Sequence, residues 1–155
     1  MAQCLSDDDD SLQIVKGALV LKDIKSHLAD TFKMKDLGEA HWFLGLKITC
    51  DHPCHTITLS AEWYMLNVLN RFNMLDTRPV STPMAAALKL ERLETPSDPQ
   101  TQKLYQQMLS CLMYAMVCTW PDLAYSVGAL AQHSVAPGPK HISAIKHVFR
   151  YLAAT

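Results

Sequence analysis

The sequence lacks several features that would assign it to a specialised class. No apolar run approaches the roughly 20 residues that a membrane-spanning helix needs. No segment repeats, and no tract has low complexity apart from the aspartates at residues 7–10. The net charge is −1 at pH 7, so the chain lacks the positive excess of a strongly basic nucleic-acid module, although a local basic face is compatible with this value. We therefore expect no membrane span.

Cysteine usage and composition narrow the class further. The five cysteines are an odd number, and no signal peptide is apparent, so we expect reduced thiols and an intracellular protein of the cytoplasm or nucleus. The 155 residues are 49% hydrophobic, which is enough for a buried core in one domain, or in one and a half small ones.

The first part of the chain combines strand and helix patterns. A short strand-like piece near Leu12 precedes an amphipathic helix that we expect to pack on a sheet. The apolar stripe of this helix recurs every four residues, at Val20, Ile24, Leu28 and Phe32. Alternation at residues 56–59 and the turn former Pro53 predict a β-hairpin with a longer loop. Ser60 then caps a helix that buries Met65, Val68, Leu69 and Phe72.

The second part is predicted to be helical after a proline-rich linker at residues 76–102. Helices are expected at residues 104–117 and from Pro121 to about residue 133. The last helix directs Ile142, Ile145, Val148, Phe149 and Leu152 inward. The fold class is therefore α+β, with strand and hairpin elements and one packed helix followed by a helical portion.

Several motifs, in this order and spacing, resemble the reverse transcriptases of Ty1/copia-type retrotransposons. They are Asp9-Asp10, Met34-Lys35-Asp36-Leu37-Gly38, Phe43-Leu44-Gly45, Leu59-Ser60 with Tyr64, Phe72-Asn73-Met74, Thr82-Pro83-Met84, Leu112-Met113-Tyr114, Thr119-Trp120-Pro121-Asp122-Leu123 and Arg150-Tyr151-Leu152. The resemblance covers nearly the whole chain. It implies that residues 1–75 are the end of the palm, residues 76–102 a linker, and residues 103–155 the helical thumb and connection segment that leads toward RNase H.

The departures from the family pattern are informative. Asp7 and Asp8 stand where the family has an aromatic residue and valine, and four adjacent carboxylates repel one another. A solvated acidic tail is therefore as reasonable an interpretation as a metal-binding turn. Trp120 replaces an arginine of the family pattern, Ser110-Cys111 replaces Gly-Ser, and Ala153-Ala154-Thr155 replaces Lys-Gly-Thr.

The resemblance implies a parent enzyme that polymerises DNA on an RNA template by two-metal chemistry. Asp9 and Asp10 would be its remnant catalytic residues and its Mg²⁺ ligands, because Mg²⁺ prefers oxygen ligands. Reverse transcriptases take these carboxylates from two strands, and this chain offers one set. We therefore expect a truncated element that is inactive alone, holds no Mg²⁺ tightly and binds nucleic acid at most weakly.

Two surfaces are candidates for contact with a template–primer. Phe43-Leu44-Gly45 resembles the primer-grip hairpin, although a buried strand with a glycine explains the same residues. Lys140, Lys146, His147 and Arg150 form a basic strip that could contact phosphates, although amphipathic helices commonly show such a strip to water.

Two alternatives belong to other classes. A domesticated protein-interaction module would use the exposed palm surface for self-association or for a protein partner. A small zinc protein would use Cys50, His52, Cys54 and His55, whose residue types suit Zn²⁺ but whose spacing is too compressed for a zinc finger.

Overall fold

The computed structural model describes residues 2–6, 11–14, 18–32, 35–85, 88–93 and 98–154. The chain divides into two units, Met1–Trp63 and Tyr64–Thr155. Strands and one helix make up the first unit, and helices make up the second. The α+β fold predicted from the sequence is confirmed.

The first unit contains two three-stranded antiparallel sheets within its described residues. Its elements are β1 (Ala2–Ser6), β2 (Ser11–Ile14), α1 (Ala18–Thr31), β3 (Lys35–Glu39), β4 (Trp42–Phe43), β5 (Leu46–Asp51) and β6 (Thr56–Ser60). The sheet orders are β2-β1-β3 and β4-β5-β6. The predicted hairpin is confirmed, since β5 pairs with β6 from Lys47 opposite Ser60 to Asp51 opposite Thr56.

Helix α1 forms where the sequence predicts a helix, but its buried face is rotated from the predicted stripe. Val20 and Phe32 are exposed, whereas Leu21 is buried and Ile24 and Leu28 are half-buried. A helix has 3.6 residues per turn, so positions twelve apart diverge by about 120° around its axis. A strict repeat of four therefore cannot stay on one face, and Leu21, Ile24 and Leu28 form the inward line instead.

The second unit is helical and follows the predicted order. Its elements are α2 (Glu62–Arg71), which spans the boundary between the units, α3 (Pro99–Cys118), a 3₁₀ turn (Pro121–Leu123), α4 (Ala124–Ala131) and α5 (Pro139–Leu152). Helix α2 begins beside Ser60, whose Oγ accepts a hydrogen bond from the N–H of Glu62 at 3.3 Å. Met65, Val68 and Leu69 are buried as predicted, whereas Phe72 follows the end of the helix and is half-buried.

Helix α3 begins five residues earlier than predicted. The carboxylate of Asp98 accepts hydrogen bonds from the backbone N–H groups of Gln100 and Thr101, both at 3.1 Å. Pro99 occupies the first helical position, where its missing N–H leaves no hydrogen bond unmade. The last residues of the range predicted as linker are therefore the start of this helix.

One continuous hydrophobic core holds the second unit together. Its most deeply buried side chains come from α3, α4, α5 and the 3₁₀ turn, and they include Tyr105, Met108, Leu112, Leu123, Leu130, Ile145, Val148 and Phe149. The phenol of Tyr105 donates a hydrogen bond to the carbonyl of Leu130 at 2.8 Å, which joins α3 to α4. The first unit has a much smaller cluster around Ala40 and Ile48.

Candidate nucleic-acid interface

The Phe43-Leu44-Gly45 motif lies in a tight hairpin turn between β4 and β5. Phe43 pairs with Leu46, so Leu44 and Gly45 are the two central residues. Their φ angles are +50° and +80°, and a two-residue type I′ turn needs positive φ at both positions. The Leu44 side chain is 64% exposed, whereas Phe43 packs against the cluster of Ala40 and Ile48. The motif thus combines a strand anchor with an exposed tip.

Beside this turn, Trp42 lies on the opposite face of the sheet from Phe43, because neighbouring strand residues alternate between faces. Trp42 pairs with Lys47, and Lys47 pairs with Ser60, so the three residues form one row across β4, β5 and β6. The Trp42 and Trp63 rings meet edge to face, with centroids 5.9 Å apart. The sequence prediction did not include this pair.

The basic strip predicted on the last helix lies along one side of α5. Lys140 and Lys146 are exposed, and Arg150 is partly exposed. His147 connects the strip to the loop before α3, because its Nε2 lies 3.0 Å from the carbonyl oxygen of Thr82 and its Nδ1 lies 3.1 Å from Nη2 of Arg150. A carbonyl only accepts and a guanidinium only donates, so these two contacts fit the imidazole tautomer that has its proton on Nε2.

The same side of α5 borders a shallow cleft of about 160 Å³. Lys140, Ser143 and His147 line one wall, and Met84 and Leu88 contribute apolar surface on the other. The cleft and the strip lie in the second unit, and the turn lies in the first. The structure thus provides two separate candidate surfaces, one in each unit.

The predicted metal ligands Asp9 and Asp10 lie outside the described residues. Within the described part of the chain, no three His, Cys, Asp or Glu side chains are grouped so that they could hold a metal ion. The zinc alternative has no geometric support, because residues 52–55 form a turn in which Asp51 accepts a hydrogen bond from the Cys54 N–H at 3.0 Å. His52 instead contacts the Glu39 carboxylate at 3.1 Å.

One buried and two half-buried tyrosines contribute packing and hydrogen bonds rather than charge. Burial raises the pKa of Tyr105, and burial together with the neighbouring Cys111 raises the pKa of Tyr64. Burial and a contact with Cys118 raise the pKa of Tyr114 to about 12. These three phenols are therefore neutral at physiological pH.

Comparison with known proteins adds independent support to the resemblance. Residues 7–86, just over half of the chain, match the family described as reverse transcriptase (RNA-dependent DNA polymerase). The chain is 40% identical, over 95% of its length, to the Retrovirus-related Pol polyprotein from transposon TNT 1-94 of Nicotiana tabacum, and it covers 11% of that protein. It is 33% identical to the corresponding polyprotein from transposon RE1 of Arabidopsis thaliana, covering 10% of it.

Shorter relatives also match. An uncharacterized mitochondrial protein of Arabidopsis thaliana is 32% identical over 95% of this chain, which covers 59% of that relative. No solved structure matches the chain significantly. Across the ranges that the structure describes, none of the helices has both the length and the apolarity required to cross a membrane.

The chain belongs to the reverse transcriptase family, and within it to the copia-type retrotransposon branch. It spans about a tenth of the length of the two Pol polyproteins.

Proposed function

We propose that this chain serves a copia-type reverse transcriptase as part of its binding surface for the template–primer. In this proposal, residues 1–75 form the end of the palm and residues 103–155 form the thumb and connection segment. The parent activity would be RNA-directed DNA polymerisation. The observation that carries the proposal is the Leu44–Gly45 turn, which presents an apolar side chain on a left-handed backbone that few residues other than glycine adopt. Strained, exposed positions of this kind are concentrated at binding sites.

The basic strip on α5 supplies the second element of the proposal. Lys140 and Lys146 are exposed and can approach phosphates without losing a protein partner in the described structure. Arg150 is held by His147, so we expect it to be oriented rather than freely mobile. Contacts between basic side chains and phosphates bind the nucleic-acid backbone without reading the base sequence, and they weaken as the salt concentration rises.

Fluorescence anisotropy with a labelled RNA–DNA template–primer tests the proposal. The double variant Lys140→Ala/Lys146→Ala should bind more weakly, and the magnitude of the slope of log K against log salt should fall by about 1.8, or 0.9 for each lost phosphate contact. The matched control is Lys22→Ala/Lys103→Ala, which removes the same charge from exposed positions on α1 and α3. Equal losses of affinity in both variants would show that the strip contributes only through its general positive charge.

We assign no role in this chain to the Mg²⁺ expected for the parent enzyme, because its candidate ligands Asp9 and Asp10 lie outside the described residues. Two-metal transfer requires carboxylates on both metals. The resemblance gives these 155 residues one Asp pair, so we propose that the chain as given does not polymerise by itself.

A second candidate function is self-association through the first unit. Helix α1 exposes Leu19 and Val20 near its start, and Phe32 is exposed just after its end. Exposed apolar side chains of this kind can form contact sites. Sedimentation velocity should detect dimers that the double variant Leu19→Ser/Phe32→Ser abolishes. Val135→Ser removes an exposed apolar side chain from the second unit and is the control. A monomer at all concentrations would exclude this function.

A further inference from the structure

We infer that the Trp42–Trp63 pair is a stacking platform for the bases of a single-stranded nucleic acid, and that Lys47 holds the adjoining phosphate. The inference rests on the proposed function and deepens it, because it assigns a base-contacting surface that is separate from the Leu44–Gly45 turn and from the basic strip.

Both indoles are exposed although they are large and apolar. Trp42 is 50% exposed and Trp63 is 58% exposed. Trp42 extends from β4, and Trp63 follows the start of α2, so the sheet and the helix bring together residues that are 21 positions apart in the sequence. Their edge-to-face contact holds the rings at 72° to one another, which orients each ring through the other while leaving indole surface open to solvent.

The surroundings of the pair favour a nucleic acid over a protein partner. The same face of the sheet carries Lys47 and Ser60 in the row of Trp42, and the next row pairs Thr49 with Thr58. An aromatic surface bordered by an ammonium and hydroxyl groups matches the π-face and the phosphate of a nucleotide. The core of a protein interface would instead be continuously apolar and poor in lysine.

The acidic group on this face is directed elsewhere. Asp51 lies two rows from Trp42, at the far end of β5, and its carboxylate accepts the Cys54 N–H within the turn. Among the strand residues of this face, the charged side chain next to Trp42 in the register is therefore Lys47, whose ammonium complements a phosphate, whereas the exposed Glu62 precedes Trp63 on α2. Stacking on an aromatic side chain tolerates any base, so we expect little dependence on sequence.

Tryptophan fluorescence of the full chain provides the test, because a stacked base quenches indole emission. The sequence has three tryptophans, and the third, Trp120, packs against Tyr151 in the second unit. A Trp120→Phe background therefore restricts the signal to the proposed platform. The probe is an oligothymidylate of about 12 nucleotides, within the range of site sizes known for single-strand binding folds.

We expect the oligonucleotide to quench the fluorescence and to bind at least about five-fold more weakly when Trp63 is replaced by leucine, which corresponds to the lower limit of one base stack. Trp63→Phe keeps a π-face and should retain most of the affinity. Lys47→Gln should reduce the magnitude of the salt slope by about 0.7, the value for one contact with a single strand. Circular dichroism establishes that each variant is folded.

The outcomes separate this inference from the proposed function. Two results would overturn the stacking platform and leave the proposed function standing. The first is binding of the template–primer without quenching by the oligonucleotide, and the second is equal affinity of Trp63→Leu and the unsubstituted chain for the oligonucleotide. Absence of all nucleic-acid binding would overturn both. A tryptophan emission maximum that shifts with protein concentration in the absence of the oligonucleotide would assign the indoles to a contact between copies of the chain. That result would also overturn the inference.

Discussion

The imidazole rings of His133 and His141 stack on one another, with centroids 4.2 Å apart and ring planes at 30°. His141 is 2% exposed, and its Nδ1 accepts the backbone N–H of Gly138 at 2.8 Å, immediately before α5. Its buried Nε2 makes no hydrogen bond to any described residue. Because an accepting Nδ1 must be unprotonated, the neutral ring is an integral part of the start of this helix.

Acid should destabilise the second unit through this ring. Burial, then the neighbouring His133 and Lys140, lower the pKa of His141, while the backbone of Glu91 opposes the shift. A lowered folded-state pKa means that the stabilisation is complete above the unfolded value of about 6.5 and is lost as the pH falls through the folded value. We would measure the free energy of unfolding by urea denaturation at pH values from about 8 to about 5. It should decrease as the pH falls below about 6.5.

Two variants make the pH prediction specific. His133→Phe keeps an aromatic ring on the stack and removes a charge, so it should reduce the loss of stability in acid. His27→Gln changes an exposed histidine on α1 and should leave the acid limb unaltered. An identical acid limb in the unsubstituted protein and in His133→Phe would exclude a contribution of His133 to the loss of stability.

Removal of the Tyr105 hydroxyl should destabilise the helical unit. The phenol is fully buried, and its hydrogen bond to the Leu130 carbonyl joins two helices. A buried hydrogen bond of this kind contributes about 1 kcal/mol, so Tyr105→Phe should lower the free energy of unfolding by that amount. Tyr125→Phe is the matched control, since Tyr125 is 80% exposed. Comparable effects of the two changes in chemical denaturation would contradict the assignment.

Replacement of Leu44 by asparagine should separate stability from binding. Leu44 has a φ of +50°, a conformation that costs most L-residues about 1–2 kcal/mol and that asparagine tolerates better. Leu44→Asn should therefore raise stability slightly and lower affinity for the template–primer. Gly45→Ala places a side chain at φ +80° and should lower stability instead. Unchanged affinity of a stable Leu44→Asn protein would remove the turn from the proposed interface.

Primer extension on an RNA template with Mg²⁺ should yield no product with the 155-residue chain. The reason is the single Asp pair that the family resemblance assigns to it, which leaves two-metal chemistry without its second set of carboxylates. The double variant Asp9→Asn/Asp10→Asn is the control. Primer extension by the unsubstituted 155-residue chain that this double variant abolishes would show that other carboxylates of the chain complete the metal site.

Local sequence patterns predicted much of the fold. The β5–β6 hairpin follows from alternation on either side of a turn, and the inward face of α5 follows from its helical period; both depend on residues close in sequence. The start of α3 was also readable, because Asp98 before Pro99 is a helix-start signal, yet the proline density of the segment led to its prediction as linker. Helix α1 also differs from its predicted stripe. The packing of the rest of the unit, and not the sequence of the helix alone, decides that Leu21 faces inward.

The candidate site was less accessible to sequence reasoning. The motifs around Leu44 and on α5 were found, but Arg150 and Thr82 are connected through His147, a relation that no spacing indicates. The predicted palm, linker and thumb boundaries, the primer contact and the cellular compartment remain predictions.

By itself, the sequence determined the family, the order of the helices and the β5–β6 hairpin, because each is encoded by residue types at short, fixed spacings. Only the tertiary structure decided which polar residues are buried and which apolar ones are exposed. Trp42 and Trp63 meet because a sheet row ends beside a helix start, and His141 is buried because the core closes around it. Burial and contact depend on residues distant in the chain, and their effect on a side chain cannot be read from its neighbours in sequence.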